Sequence, residues 1–213
     1  MGNYFPLPPD IKLSEESNLF IKSSLTLNNV SKHITIESNS LKPKKDIFYN
    51  IYILCKNKWS KVKTIKLEFN QFLEVNRDDL NIDSNKNLVV VPSEEITESS
   101  SQILPLPAKS HFNRSLISER LSYNFKIGEA KCSYMGEYPT KMTEIIKGTF
   151  FCFDSLRLDS DDKKSTFLFL INLQRNCNNQ INHEVKISNA YNGKKITTIL
   201  AKSNNFNVFC LSK

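Results

Sequence analysis

Apolar and polar positions alternate most regularly near the end of the chain. Val185-Lys186-Ile187-Ser188 alternates, the dipeptide Asn192-Gly193 follows, and alternation resumes over Ile196 to Leu200 and Phe206 to Leu211. A period of two places every second side chain on one face of a strand, and Asn-Gly accommodates the positive φ angles of a two-residue hairpin. The pattern predicts a β-meander turning at Asn192-Gly193.

Earlier segments carry shorter versions of the same pattern. Leu19-Phe20-Ile21, Leu25-Thr26-Leu27 and His33 to Glu37 predict strands separated by Asn28-Asn29. Ile47 to Cys55 is apolar and aromatic almost throughout, as a central strand covered on both faces would be, with Val62 to Phe69 as its partner and Asn57 to Ser60 as the connecting loop. Leu88 to Val91 predicts a further strand, Pro92 to Ser101 an exposed polar loop, and Ile103 to Pro107 an edge segment, because its prolines cannot donate to a central ladder. Leu121 to Ile127, Ala130 to Tyr134, Gly148 to Leu158 and Thr166 to Leu173 complete the strands, the last two joined by a solvated connection over Asp159 to Lys164. Helical windows are confined to Asp78 to Leu80 and Thr140 to Ile146. Many short strands without strand-helix alternation predict an all-β fold, an antiparallel β-sandwich of jelly-roll or immunoglobulin-like type with at most one or two short helices.

Pro6, Pro8 and Pro9 mark residues 1–17 as an extended N-terminal arm, which leaves 18–213 for a single β-sandwich domain, any sub-domain boundary falling near 92–110. Met1 to Pro9 has no basic segment followed by an apolar one, and Pro6 stands where a myristoylation motif requires Ser or Thr. No apolar run is long enough to span a bilayer, so the expected setting is cytoplasmic, without a membrane span.

Charge changes the picture less than its size suggests. The 29 Lys and Arg against 22 Asp and Glu give a net charge of +7. The densest basic set, Lys42, Lys44, Lys45, Lys56, Lys58, Lys61, Lys63 and Lys66, falls largely at alternating strand positions, which favours a solvated face over a nucleic-acid groove. The five cysteines are odd in number and form no CxxC pair; Cys152 and Cys210 lie in apolar runs, as reduced, buried thiols do. Asp154, Asp159, Asp161 and Asp162 lack the glycine and terminal glutamate of a calcium loop, and neither metal nor cofactor is expected.

Candidate chemistry is densest between His111 and Lys141. Arg114, Glu119, Arg120, Tyr134, Glu137, Tyr138 and Lys141 combine flat amphipathic rings with forked cations and carboxylates, a set suited to a carbohydrate or an acidic group. The competing reading makes Arg114–Glu119 and Arg120–Glu137 ordinary ion pairs and sets both tyrosines at the rim of the core. His33, His111 and His183 have no GxSxG, HExxH or phosphate-loop context; His33 reads as a strand start and His183 as a polar turn. Glu119 and Glu137 would serve as a glycosidase pair only with their carboxyls about 5 to 10 Å apart. The sequence therefore favours a non-catalytic binding module for a glycan or protein partner over a basic nucleic-acid-binding domain or a small hydrolase or transferase accessory domain.

Overall fold

The computed structural model describes residues 4–12, 18–29, 46–68, 71–82, 86–93, 95–107, 121–135, 149–160, 163–189 and 191–210. They are all-β, with several antiparallel sheets and a single 3-10 turn, at Asp78–Leu80, where the sequence placed one of its two short helices. The other helical window, Thr140 to Ile146, lies outside the described residues, as does the expected strand His33 to Glu37. The chain groups into two compact units, Met1–Lys141 and Met142–Lys213.

In the first unit the strands are β1 (Phe5–Leu7), β2 (Ile11–Lys12), β3 (Phe20–Asn28), β4 (Ile47–Cys55), β5 (Lys58–Leu67), β6 (Phe72–Asn76), β7 (Leu88–Ser93), β8 (Ser100–Ser101), β9 (Ser122–Ile127) and β10 (Ala130–Met135). One sheet runs β1-β7-β4-β5-β8; the other runs β10-β9-β3-β2, with β6 also on β3. β4 is central, as its apolar and aromatic run implies, with Ile47, Tyr49, Ile51 and Tyr52 buried and the one amide among them, Asn50, buried too. Side-chain hydrogen bonds link the two sheets: Tyr49 of β4 donates its hydroxyl hydrogen to the Asn28 carbonyl at the end of β3, and Asn29 Nδ2 donates to the Leu67 carbonyl of β5 at 2.9 Å.

Four local expectations are revised in this unit. Lys56 and Asn57 both have positive φ, 47° and 59°, so they alone form the hairpin turn; Cys55 pairs with Lys58, and Trp59 joins β5 fully buried instead of lying in a loop. Phe20-Ile21 of the first expected strand and Leu25 to Leu27 of the second belong to one strand, β3, because Ser23 continues the inward face by giving its hydroxyl hydrogen to the Pro8 carbonyl at 2.6 Å. The segment expected as an exposed loop after Pro92 is partly structured: β7 extends through Ser93 and Ser100–Ser101 pairs with β5. Its carbonyls also serve the sheet, since those of Glu95, Thr97 and Glu98 accept from Asn50, Lys61 and Tyr52 respectively. The N-terminal arm is extended as its prolines dictate, but Phe5–Leu7 is β1, paired with Leu88–Val90, and Tyr4, Phe5 and Leu7 are buried.

The second unit holds β11 (Thr149–Ser160), β12 (Lys163–Leu173), β13 (Asn182–Ser188), β14 (Lys195–Lys202) and β15 (Phe206–Cys210). β11 and β12 form the expected hairpin, but its strands run further than expected: Asp159 pairs with Lys164 and Ser160 with Lys163, so these four belong to the ladder instead of the solvated connection. The C-terminal meander is not one sheet. β13 and β14 pair with each other, while β15 pairs with β12. The chain changes sheets at Asn204, whose φ of 56° turns it left-handed and whose N–H donates to the Asn172 carbonyl at 2.7 Å. The β13–β14 turn is also wider than Asn192-Gly193. The Asn189 N–H donates to the Lys194 carbonyl and the Gly193 N–H to the Asn189 carbonyl, and of the Asn-Gly pair only Gly193 has positive φ, 69°.

Candidate functional site

The tyrosine- and arginine-bearing set is described only where it touches the sheet. Tyr134 is the fifth residue of β10 and its backbone pairs with Tyr123 of β9. Arg114, Glu119, Arg120, Glu137, Tyr138 and Lys141 lie outside the described residues. What brackets them is well defined. β9 and β10 form a hairpin through Gly128 and Glu129, with Ile127 opposite Ala130 and, at the other end, Ser122 opposite Met135. Gly128 has φ of 53°, the positive value needed at the first position of a type II′ turn. In sequence, Arg120 precedes the open end of this hairpin at Ser122 by two positions and Lys141 follows it at Met135 by six.

The same hairpin contributes to a polar lattice on the outer face of the sheet, away from buried Leu25, Leu27, Tyr123 and Phe125. Glu74 on β6 accepts the Ser24 hydroxyl hydrogen, and Lys131 on β10 closes an ion pair to it at 3.2 Å. Between them Asn124 donates from Nδ2 to Thr26 Oγ1 at 3.0 Å and to Ser24 Oγ at 3.3 Å, while its Oδ1 accepts from Ser133 at 2.7 Å. The Ser24 hydrogen bond, with help from Lys131, holds the Glu74 carboxyl below its ordinary range. Carboxylate, amide, hydroxyls and ammonium thus stand in a row across β6, β3, β9 and β10. Sequence reasoning missed this row because its members are far apart in the chain and meet only through strand pairing.

Other charged and ligating groups are placed as follows. Among the β5 lysines, Lys61 donates to the Thr97 carbonyl, Lys63 to the Asp79 carbonyl at 3.4 Å, and Lys66 pairs with Asp46 at 2.8 Å. Arg77, which the sequence did not single out, is buried and donates to the carbonyls of Leu7, Pro8 and Lys86 at 2.7, 2.9 and 2.7 Å. It fastens β1 to the rest of the unit. His183 sits within β13 instead of a polar turn, because the strand begins at Asn182. Among the described residues no three His, Cys, Asp or Glu side chains are grouped to hold a metal. Cys177 is buried, which raises its thiol pKa, Cys132 is exposed, and the side chains of Cys152 and Cys210 lie outside the described set, though their backbones are in β11 and β15. Of the four aspartates weighed as a calcium loop, Asp154 and Asp159 are in β11 and Asp161 and Asp162 lie outside the described residues. His33, His111, Lys42, Lys44 and Lys45 also lie outside them. No helix among the described residues is long and apolar enough to cross a membrane.

No family model matches the chain, and no curated protein or solved structure does so either.

Proposed function

We propose that this protein is a non-catalytic binding module that takes a glycan or protein partner at the open end of the β9–β10 hairpin. The reading rests on one observation: Ser122 pairs with Met135. In sequence, the segment carrying Arg114, Glu119 and Arg120 leads into β9 at Ser122 and the one carrying Glu137, Tyr138 and Lys141 follows β10 at Met135, and the polar lattice on Asn124, Lys131 and Ser133 lies on the same two strands. Tyrosine supplies rigid amphipathic area, and arginine a planar fork for carboxylate or paired hydroxyls. Binding energy concentrates in few such residues. Engagement of Lys61, Lys63 and Lys66 with neighbouring oxygens supports this reading over a nucleic-acid groove on β5.

A glycan array and a protein pull-down with the whole chain identify the ligand class. Arg120→Ala and Tyr138→Ala should each weaken that binding by about 1 to 3 kcal/mol with an unchanged circular dichroism spectrum. Both variants binding as wild type, or both unfolding, would assign these residues to structure instead.

A further inference from the structure

Among the described residues β13 is an edge strand, paired with β14 alone, and it offers seven residues without proline or bulge, the irregular residue of the hairpin, Ile196, being on β14. Such an edge is a template for another strand unless charge or shape forbids it. Its hydrogen-bonding parity can be read from its ends. Ile181 accepts from the Ser203 N–H at 2.9 Å, and the Asn189 N–H donates to the Lys194 carbonyl at 2.8 Å, so the odd-numbered residues address the β14 side. Antiparallel alternation then turns the N–H and C=O of Asn182, Glu184, Lys186 and Ser188 outward.

We propose that this edge pairs with β13 of a second copy of the chain, antiparallel about a two-fold axis at Val185. Only registers that set even-numbered residues opposite even-numbered ones allow the outward groups to bond. Centring on Glu184 or on Lys186 sets like charges face to face. Centring on Val185 sets Glu184 of each copy opposite Lys186 of the other, twice by symmetry, and Asn182 opposite Ser188. The strand is therefore self-complementary in charge in one register and self-repelling in its two neighbours. The opposite face gains as well: Val185, half-buried beside Ile199, would meet Val185 of the other copy at the close, non-hydrogen-bonded spacing of an antiparallel pair. The result is a continuous sheet ordered β14-β13-β13-β14.

Analytical ultracentrifugation of the whole chain tests this directly. Wild type should sediment as a reversible dimer. Glu184→Lys and Lys186→Glu should each weaken dimerisation about tenfold or more, since each replaces both attractive pairs by repulsive ones. The double variant Glu184→Lys with Lys186→Glu should restore it, and an equimolar mixture of the two single variants should form a heterodimer. A wild-type chain that stays monomeric at its highest soluble concentration would overturn the proposal. So would a dimer indifferent to both single reversals, or one that the double reversal fails to restore.

Discussion

At the scale of single residues, the most consequential side chain in the first unit is one that composition gives no reason to notice. Arg77 is buried, and its guanidinium donates to the Leu7, Pro8 and Lys86 carbonyls, with the Asp10 carboxyl close enough to feel its charge. Three carbonyls facing one planar fork leave little room for a substitute. Arg77→Ala should cost about 3 kcal/mol or more in urea unfolding, because charge-assisted hydrogen bonds are lost and buried acceptors are left without donors. Arg77→Lys should recover only part of this, as an ammonium cannot reach three acceptors set along a fork. Glu74 supplies a pH-dependent counterpart. Its pKa is lowered by Ser24 and Lys131, so the ionised carboxylate stabilises the fold above the ordinary glutamate value of 4.5, and that contribution disappears as pH falls through the folded-state pKa. Burial raises the pKa of Asp10, which reverses the sign: its ionisation opposes folding as pH rises from its ordinary value of 3.8 through its folded pKa. Glu74→Gln should therefore flatten the acid limb of a stability–pH profile, and Asp10→Asn should raise stability at neutral pH.

At the scale of elements, legibility followed burial. Ile47 to Cys55 was read with both its bounds because a strand covered on two faces needs apolar residues at nearly every position. β3 was divided because Ser23 is polar in sequence but inward in space, its hydroxyl satisfied by a carbonyl from a distant segment. β6 escaped notice because Phe72 and Leu73 are exposed and only Val75 of its five residues is buried with the core. Turns show the same division. Lys56 occupies a left-handed conformation that is unfavourable for a residue with a Cβ, and nothing in its sequence announces it. Lys56→Gly should accordingly stabilise the protein by roughly 1 kcal/mol in thermal or chemical denaturation. At Gly193 the direction is opposite. An added Cβ would meet nothing within 4 Å, so Gly193→Val should destabilise by about 1 kcal/mol or more through its φ of 69° alone. An unchanged midpoint in either variant would contradict the turn geometry.

At the scale of the whole molecule, the all-β antiparallel character follows from period-two patterning repeated along the chain, whereas strand order does not. β15 leaves its sequence neighbour β14 for β12 because Asn204 adopts a left-handed turn and Asn172, Ser203 and Gln174 form a buried hydrogen-bonded knot at the crossover. The candidate site was legible as a composition, Arg114 to Lys141, and not as a place. The location proposed for it rests on the pairing of Ser122 with Met135, the described strand ends that flank it in sequence. Hydrogen exchange with and without the ligand found by the array or pull-down measures that location most directly. Peptides covering 114–126 and 131–141 should gain protection on binding, with β5 and β13 unchanged. Protection confined to other segments, with those two unaffected, would contradict the assignment of binding to the open end of the β9–β10 hairpin.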